Sequence, residues 1–260
     1  MALGAIANDS LIYQMGADIA RQCSRLGIHV NFAPVVDVNN NPANPVINYR
    51  SFGEDKYNVA RKGIAYMKGM QDNRVLASAK HFPGHGDTDT DSHKALPLIT
   101  HDRARLDSLE LYPFRQLINA GVGSMMVAHL QVPALDSGDK MPTTLSKNVV
   151  SKLLRKEMGF KGLIFTDALN MKGVSAQFKP GIVDVKALLA GNDILLFSEN
   201  VPLAISEIKN AIAAGEISSE EIDARCRRIL EAKFWCGLNK KQQIDIKNLH
   251  RDLNQKSSEV

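Results

Sequence analysis

A chain of 260 residues with 44% apolar and 23% charged residues is a globular sequence, long enough for one large domain or two small ones. Its net charge of +4 comes from 32 basic and 28 acidic residues that are interspersed, which gives nucleic-acid binding little support. Three cysteines exclude a complete disulfide framework, and apolar runs of about five to nine residues are too short for a membrane segment.

Taken in order, Met1-Ala2-Leu3-Gly4-Ala5-Ile6 leads straight into a helical pattern, without the basic start or cleavage site of a signal peptide. Helical periodicity is expected near residues 5–25, 55–71, 102–119, 147–157, 183–190 and 201–214. Cys23, in the first of these, and Cys226, in a further apolar-periodic helical stretch, read as small core residues. Between the helices lie short apolar runs at 28–35, 75–80, 122–129, 163–166 and 193–197, the strands of a parallel sheet buried on both faces. Gly27, Gly121 and Gly159 stand where helices need left-handed C-caps. Ser146 reads as an N-cap, and Ser218 with Glu221 as a capping box. Residues 1–238 are read as one partial catalytic domain and 239–260 as a polar, peripheral tail.

Alternation of this kind fits an open doubly wound sheet or a (β/α)8 barrel. Long polar loops follow successive strand ends and hold most of the histidines, which favours the barrel. A barrel needs eight strands. The chain is therefore read as an incomplete TIM-type α/β barrel of about five C-terminal βα units, its N-terminal strands absent.

The densest chemistry is Lys80-His81-Phe82-Pro83-Gly84-His85-Gly86-Asp87-Thr88-Asp89-Thr90-Asp91-Ser92-His93, a loop rich in His and Asp that directly follows a strand. A solvated connector is the plain reading. A metal site on His81 and His85 is a second, weakened because Pro83 and Gly84 preclude the helix that would align them. Acid/base catalysis is the third. Asp91 and His93 are two apart, so in an extended loop both can point one way, and the carboxylate can fix the imidazole's tautomer and raise its pKa. The other acidic landmark is Asp167, immediately after a buried strand. It could cap the next segment or serve as a carboxylate nucleophile.

These residues resemble a known family. Residues 80–93 are similar to the K-H-F-P-G-H-G and D-S-H signature of glycoside hydrolase family 3 β-N-acetylglucosaminidases. Asn31-Phe32-Ala33-Pro34-Val35-Val36-Asp37-Val38 resembles an earlier strand of that family, Arg50-Ser51-Phe52-Gly53 its R-S-F-G loop, and Thr166-Asp167-Ala168-Leu169-Asn170-Met171 its nucleophile segment. The likeness runs from about residue 3 to residue 238, in order.

The resemblance implies a retaining exo-glycosidase that removes terminal β-linked N-acetylglucosamine, with Asp167 as nucleophile and an Asp91–His93 acid/base dyad. It implies that Arg50, Lys80 and His81 hold sugar hydroxyls and that no metal or organic cofactor is required. The expected partner is a carbohydrate, an N-acetylglucosamine-containing glycan or a muropeptide, and not nucleic acid. His85 and Asp87 read as loop-ordering, and His129 as either a core histidine or a second-tier site residue. One family feature has no counterpart here, the acidic residue in a D-Q-E-G-G context that binds the sugar. Two rivals stay open: glycoside phosphorolysis by the same residues, and a fragment that only binds sugar. Bacterial cytoplasm and periplasm are both compatible.

Overall fold

The computed structural model describes residues 1–92, 95–138, 140–240 and 243–255. Among these, β1 (Val30–Asn31), β2 (Leu76–Phe82), β3 (Ser124–Val127) and β4 (Leu163–Thr166) lie side by side in chain order, all parallel. Every residue of β3 and β4 is buried, as a sheet covered on both faces requires. Helical crossovers join the strands, the arrangement of part of a (β/α)8 barrel.

The expected first strand is only partly a ladder. Val30 and Asn31 pair with Leu76 and Ala77, and the chain then runs on beside β2 through separate bonds, Ser78 N–H to Ala33 O at 2.8 Å and Val36 N–H to Lys80 O at 2.8 Å. Pro34 has no N–H to donate, so the ladder breaks there.

The expected fifth strand is also modified. Residues 193–197 lie parallel to β4, but only Phe165 and Ile194 form a bridge. Backbone bonds persist, with Ile194 N–H to Ile164 O and Thr166 N–H to Ile194 O both at 3.1 Å, and side chains supplement them. Asp193 Oδ2 accepts from Ile164 N–H at 2.9 Å, and Leu196 N–H donates to Thr166 Oγ1 at 2.8 Å. Arg155 and Arg228 close on the same carboxylate, each at 2.7 Å.

Two long helices, α1 (Asp9–Arg25) and α2 (Lys56–Asp72), pack along each other on the β1–β2 side. Glycines let them approach. A Cβ on Gly69 would stand 2.1 Å from Tyr13 O, and one on Gly16 2.4 Å from Tyr66 O. The helix expected over 102–119 is two, α3 (Arg103–Ser108) and α4 (Leu111–Asn119). Pro113 explains the break, because its ring clashes with the carbonyl four residues back, that of Leu109. A helix with wide π-type turns, Asn148–Glu157, follows β3, and Ser146 Oγ accepts from Val149 N–H at its start. After β4 come the single turn α5 (Lys172–Ser175), then α6 (Ile182–Ala190), α7 (Val201–Ala213) and α8 (Ser219–Trp235), the last with the Ser218–Glu221 capping box in place. Gly27, Gly121 and Gly159 adopt φ of 71°, 88° and 69°, as their cap positions require.

One core assignment is corrected: Cys226 is exposed, whereas Cys236 is buried. On α8 the buried position is Arg225, whose guanidinium donates to Leu188 O and Asn192 O, so Cys226 faces outward. The polar tail also makes defined contacts. A short helix, α9 (Leu249–Leu253), lies against α1, with Arg25 Nε 3.1 Å from Asp252 Oδ2.

Candidate active site

The carboxyl ends of the strands converge on one cavity of about 170 Å³, lined by Phe32, Arg50, Lys80, His81, Ser92 and Asp167 among others. Lys80 and His81 come from the end of β2, Asp167 from the residue after β4, and Arg50 from the loop after β1. Four residues predicted from sequence therefore share one pocket. Asp91 is half-buried and lies one residue before Ser92 of the pocket wall. His93, the predicted proton donor, lies outside the described residues.

Asp167 is rigidly based, because its own N–H donates to Val127 O at 2.9 Å. Its Oδ1 accepts from Ala168 N–H at 2.8 Å, and Oδ2 makes no hydrogen bond among the described residues. Burial pushes this carboxyl's pKa up, but His81, His129, the Ala168 N–H and Lys80 together outweigh burial and hold it below 3.8. The group is ionised at neutral pH. Burial, and then the Arg50 charge, push the Lys80 ammonium below its ordinary value, against the pull of Asp167 and Asp37.

Beneath the pocket floor lies Asp37, fully buried. Oδ2 stands 2.8 Å from His81 Nδ1, both oxygens accept from His81 N–H at 3.1 Å, and Oδ1 accepts from His85 N–H at 2.7 Å. Burial again opposes ionisation, and the contacts with His81 and His85 again win, so Asp37 stays charged. This arrangement assigns the imidazole tautomer: Nδ1 carries the proton toward Asp37, and Nε2 is left as an acceptor facing Arg50 Nη2 at 3.4 Å. The sequence alone assigns Asp37 no role. The available signal was an acid inside the apolar run 31–38, where a carboxylate persists only if partnered.

His85 is buried and its pKa is pushed down to about 4, first by burial and then by His81. It is a neutral brace. Nδ1 lies 2.7 Å from Thr88 Oγ1 and Nε2 3.1 Å from Ser92 Oγ, which ties the start of the loop to the residue before His93. Asp87 pairs with His101. His129 lies beside Thr144 Oγ1 at 2.7 Å and Ala168 O at 3.0 Å, the contacts of a satisfied core histidine that also positions the peptide after Asp167.

Residues 1–232 match the model of the glycosyl hydrolase family 3 N terminal domain. Beta-hexosaminidase A of Pseudoalteromonas piscicida is 38% identical over 259 residues, covering 90% of this chain and 43% of that protein. A glycoside hydrolase family 3 β-N-acetylglucosaminidase from Paenibacillus sp. str. FPU-7 superposes with a TM-score of 0.91 at 41% identity, over 97% of this chain and 50% of that one. A β-glucoside phosphorylase, BglX, superposes with a TM-score of 0.89 at 27% identity, over 95% and 46%. The chain spans about half the length of the relatives it matches. The pocket geometry and these likenesses agree: the chain belongs to glycosyl hydrolase family 3 and carries the barrel domain of that family.

Proposed function

We propose that this chain is the catalytic part of a retaining exo-β-N-acetylglucosaminidase. The observation that carries the reading is an ionised Asp167 in a strand-end pocket whose other polar walls are Arg50, Lys80 and His81. In this mechanism Asp167 attacks the anomeric carbon and the leaving oxygen takes a proton from His93. The glycosyl-enzyme is then cleaved by water, from which His93, braced by Asp91, removes a proton. Arg50 and Lys80 donate only, so they hold sugar hydroxyls without competing as nucleophiles. His81 accepts a hydroxyl proton at Nε2, because Asp37 holds its proton on Nδ1. Relatives named as β-hexosaminidases and a β-N-acetylglucosaminidase structure support the choice of sugar.

The direct test is trapping with a fluorinated N-acetylglucosaminide followed by peptide mapping. Label is expected on Asp167; label on Asp91 would overturn the mechanism.

The likeness to a β-glucoside phosphorylase supports a second reading, in which phosphate takes the place of water. An imidazole acid/base does not repel phosphate as a carboxylate would. Addition of phosphate separates the two: sugar 1-phosphate indicates phosphorolysis, and free sugar indicates hydrolysis.

A further inference from the structure

Outside the pocket, on the far side of the same loop, three ligand-bearing side chains converge. Asp87 belongs to the loop after β2, His101 to the segment before α3, and Glu110 to the break between α3 and α4. One ligand atom from each lies within 4.8 Å of the other two. Glu110 is 2% exposed, and its Oε2 is buried with no hydrogen-bond partner, while Oε1 accepts from Arg105 Nη2 at 3.0 Å. An unpartnered buried carboxylate oxygen costs on the order of 1–3 kcal/mol, and the carboxyl group that carries it lies beside a second carboxylate and an imidazole.

We infer that Asp87, His101 and Glu110 form a site for a divalent first-row transition cation, with Zn²⁺ the best fit. The donor set is one imidazole nitrogen and two carboxylate oxygens, three protein ligands that leave a fourth position for water. Asp87 and Glu110 carry two negative charges, of which Arg105 offsets one. Hard, oxygen-only cations such as Mg²⁺ make poor use of the imidazole. Access exists, because Asp87 and His101 also line an open cavity of about 390 Å³. In the present structure Asp87 Oδ2 accepts from His101 Nε2. Binding replaces that hydrogen bond, with the proton moving to Nδ1 of the same ring or to water.

The consequence is mechanical. Glu110 packs directly under the loop, since a Cβ on Gly84 would fall 2.9 Å from its Cβ. A cation there would tie residues 83–87 to the α3–α4 break and stiffen the loop that continues to Asp91 and His93.

The test is Zn²⁺ titration of the chelator-stripped 260-residue chain, followed by calorimetry and thermal melting, in a Cys226→Ser background so that the exposed thiol does not compete. One equivalent is expected to bind and to raise the melting temperature. Co²⁺ in the same site should give visible absorption bands of low-coordinate geometry. His101→Ala and Asp87→Asn replace half-buried groups and should keep the fold, and each should weaken Zn²⁺ at least about tenfold. Glu110→Gln should do the same. No saturable binding in the parent chain would overturn the assignment. So would binding that survives His101→Ala and Asp87→Asn, since the cation would then sit elsewhere. Neither outcome bears on the glycosidase reading, which is tested separately by label on Asp167.

Discussion

Asp37 and His81 form a buried pair in which Asp37 Oδ2 lies 2.8 Å from His81 Nδ1 while both Asp37 oxygens accept the His81 backbone N–H at 3.1 Å. One carboxylate thus sets the position, rotamer and tautomer of a residue that lines the pocket. Asp37→Asn turns an amide N–H toward donors of His81 or His85. Turnover efficiency on an aryl N-acetylglucosaminide is expected to fall about a hundredfold, the effect of displacing a positioned group by about 1 Å. The ring ¹⁵N shifts of His81 should move with it; unchanged shifts would show that Asp37 does not set the tautomer.

Asp37 and Asp167 both have carboxyls held below the ordinary 3.8. A folded pKa below the unfolded one adds stability that is present above the unfolded value and is lost as pH falls through the folded one. The urea midpoint should therefore drop between about pH 5 and about pH 2, and Asp37→Asn should flatten that slope. The acid limb of the kcat/KM profile, governed by Asp167, should likewise lie below 3.8.

Removal of the proposed proton donor should have an effect that depends on the leaving group. His93→Ala is expected to cripple substrates with poor leaving groups and to spare activated aryl glycosides in the first step, so that a burst of aryl alcohol appears. Asp91→Ala should give a milder form of the same pattern. Rates across leaving groups of graded pKa check this: a dependence unchanged by the mutation would send the search for the acid elsewhere in the loop.

Stability should depend strongly on Asp193. Its side chain is fully buried and accepts from Arg155, Arg228 and Ile164 N–H. Asp193→Ala leaves Arg228 and one buried N–H without their acceptor and Arg155 with only its bonds to Phe160 O and Gly162 O, an expected cost of about 3 kcal/mol. Urea unfolding measures it; a loss below about 1 kcal/mol would mean that solvent replaces the carboxylate.

Much of this protein is written in local sequence. Strand-length apolar runs, helical periodicity and Gly27, Gly121 and Gly159 fix the βα alternation, because side-chain spacing and left-handed φ are properties of short segments. Asp167 stands out locally because it follows a buried strand, where a parallel barrel puts its chemistry, although position alone also allows a cap; Lys80 is singled out only by the family resemblance. What the tertiary structure decided lies in pairings between distant residues. Asp37 lies 44 positions from His81 in sequence, so nothing local announces that it holds that imidazole. Asp193 reads as the start of a fifth strand, yet its side chain also joins that pairing through Ile164 N–H and gathers two arginines from separate helices, which no local pattern announces. Cys226 and Arg225 are neighbours on α8, and only the docked helix settles which of them is buried. Periodicity defines a face to within a residue or so; packing against a particular partner chooses the residue.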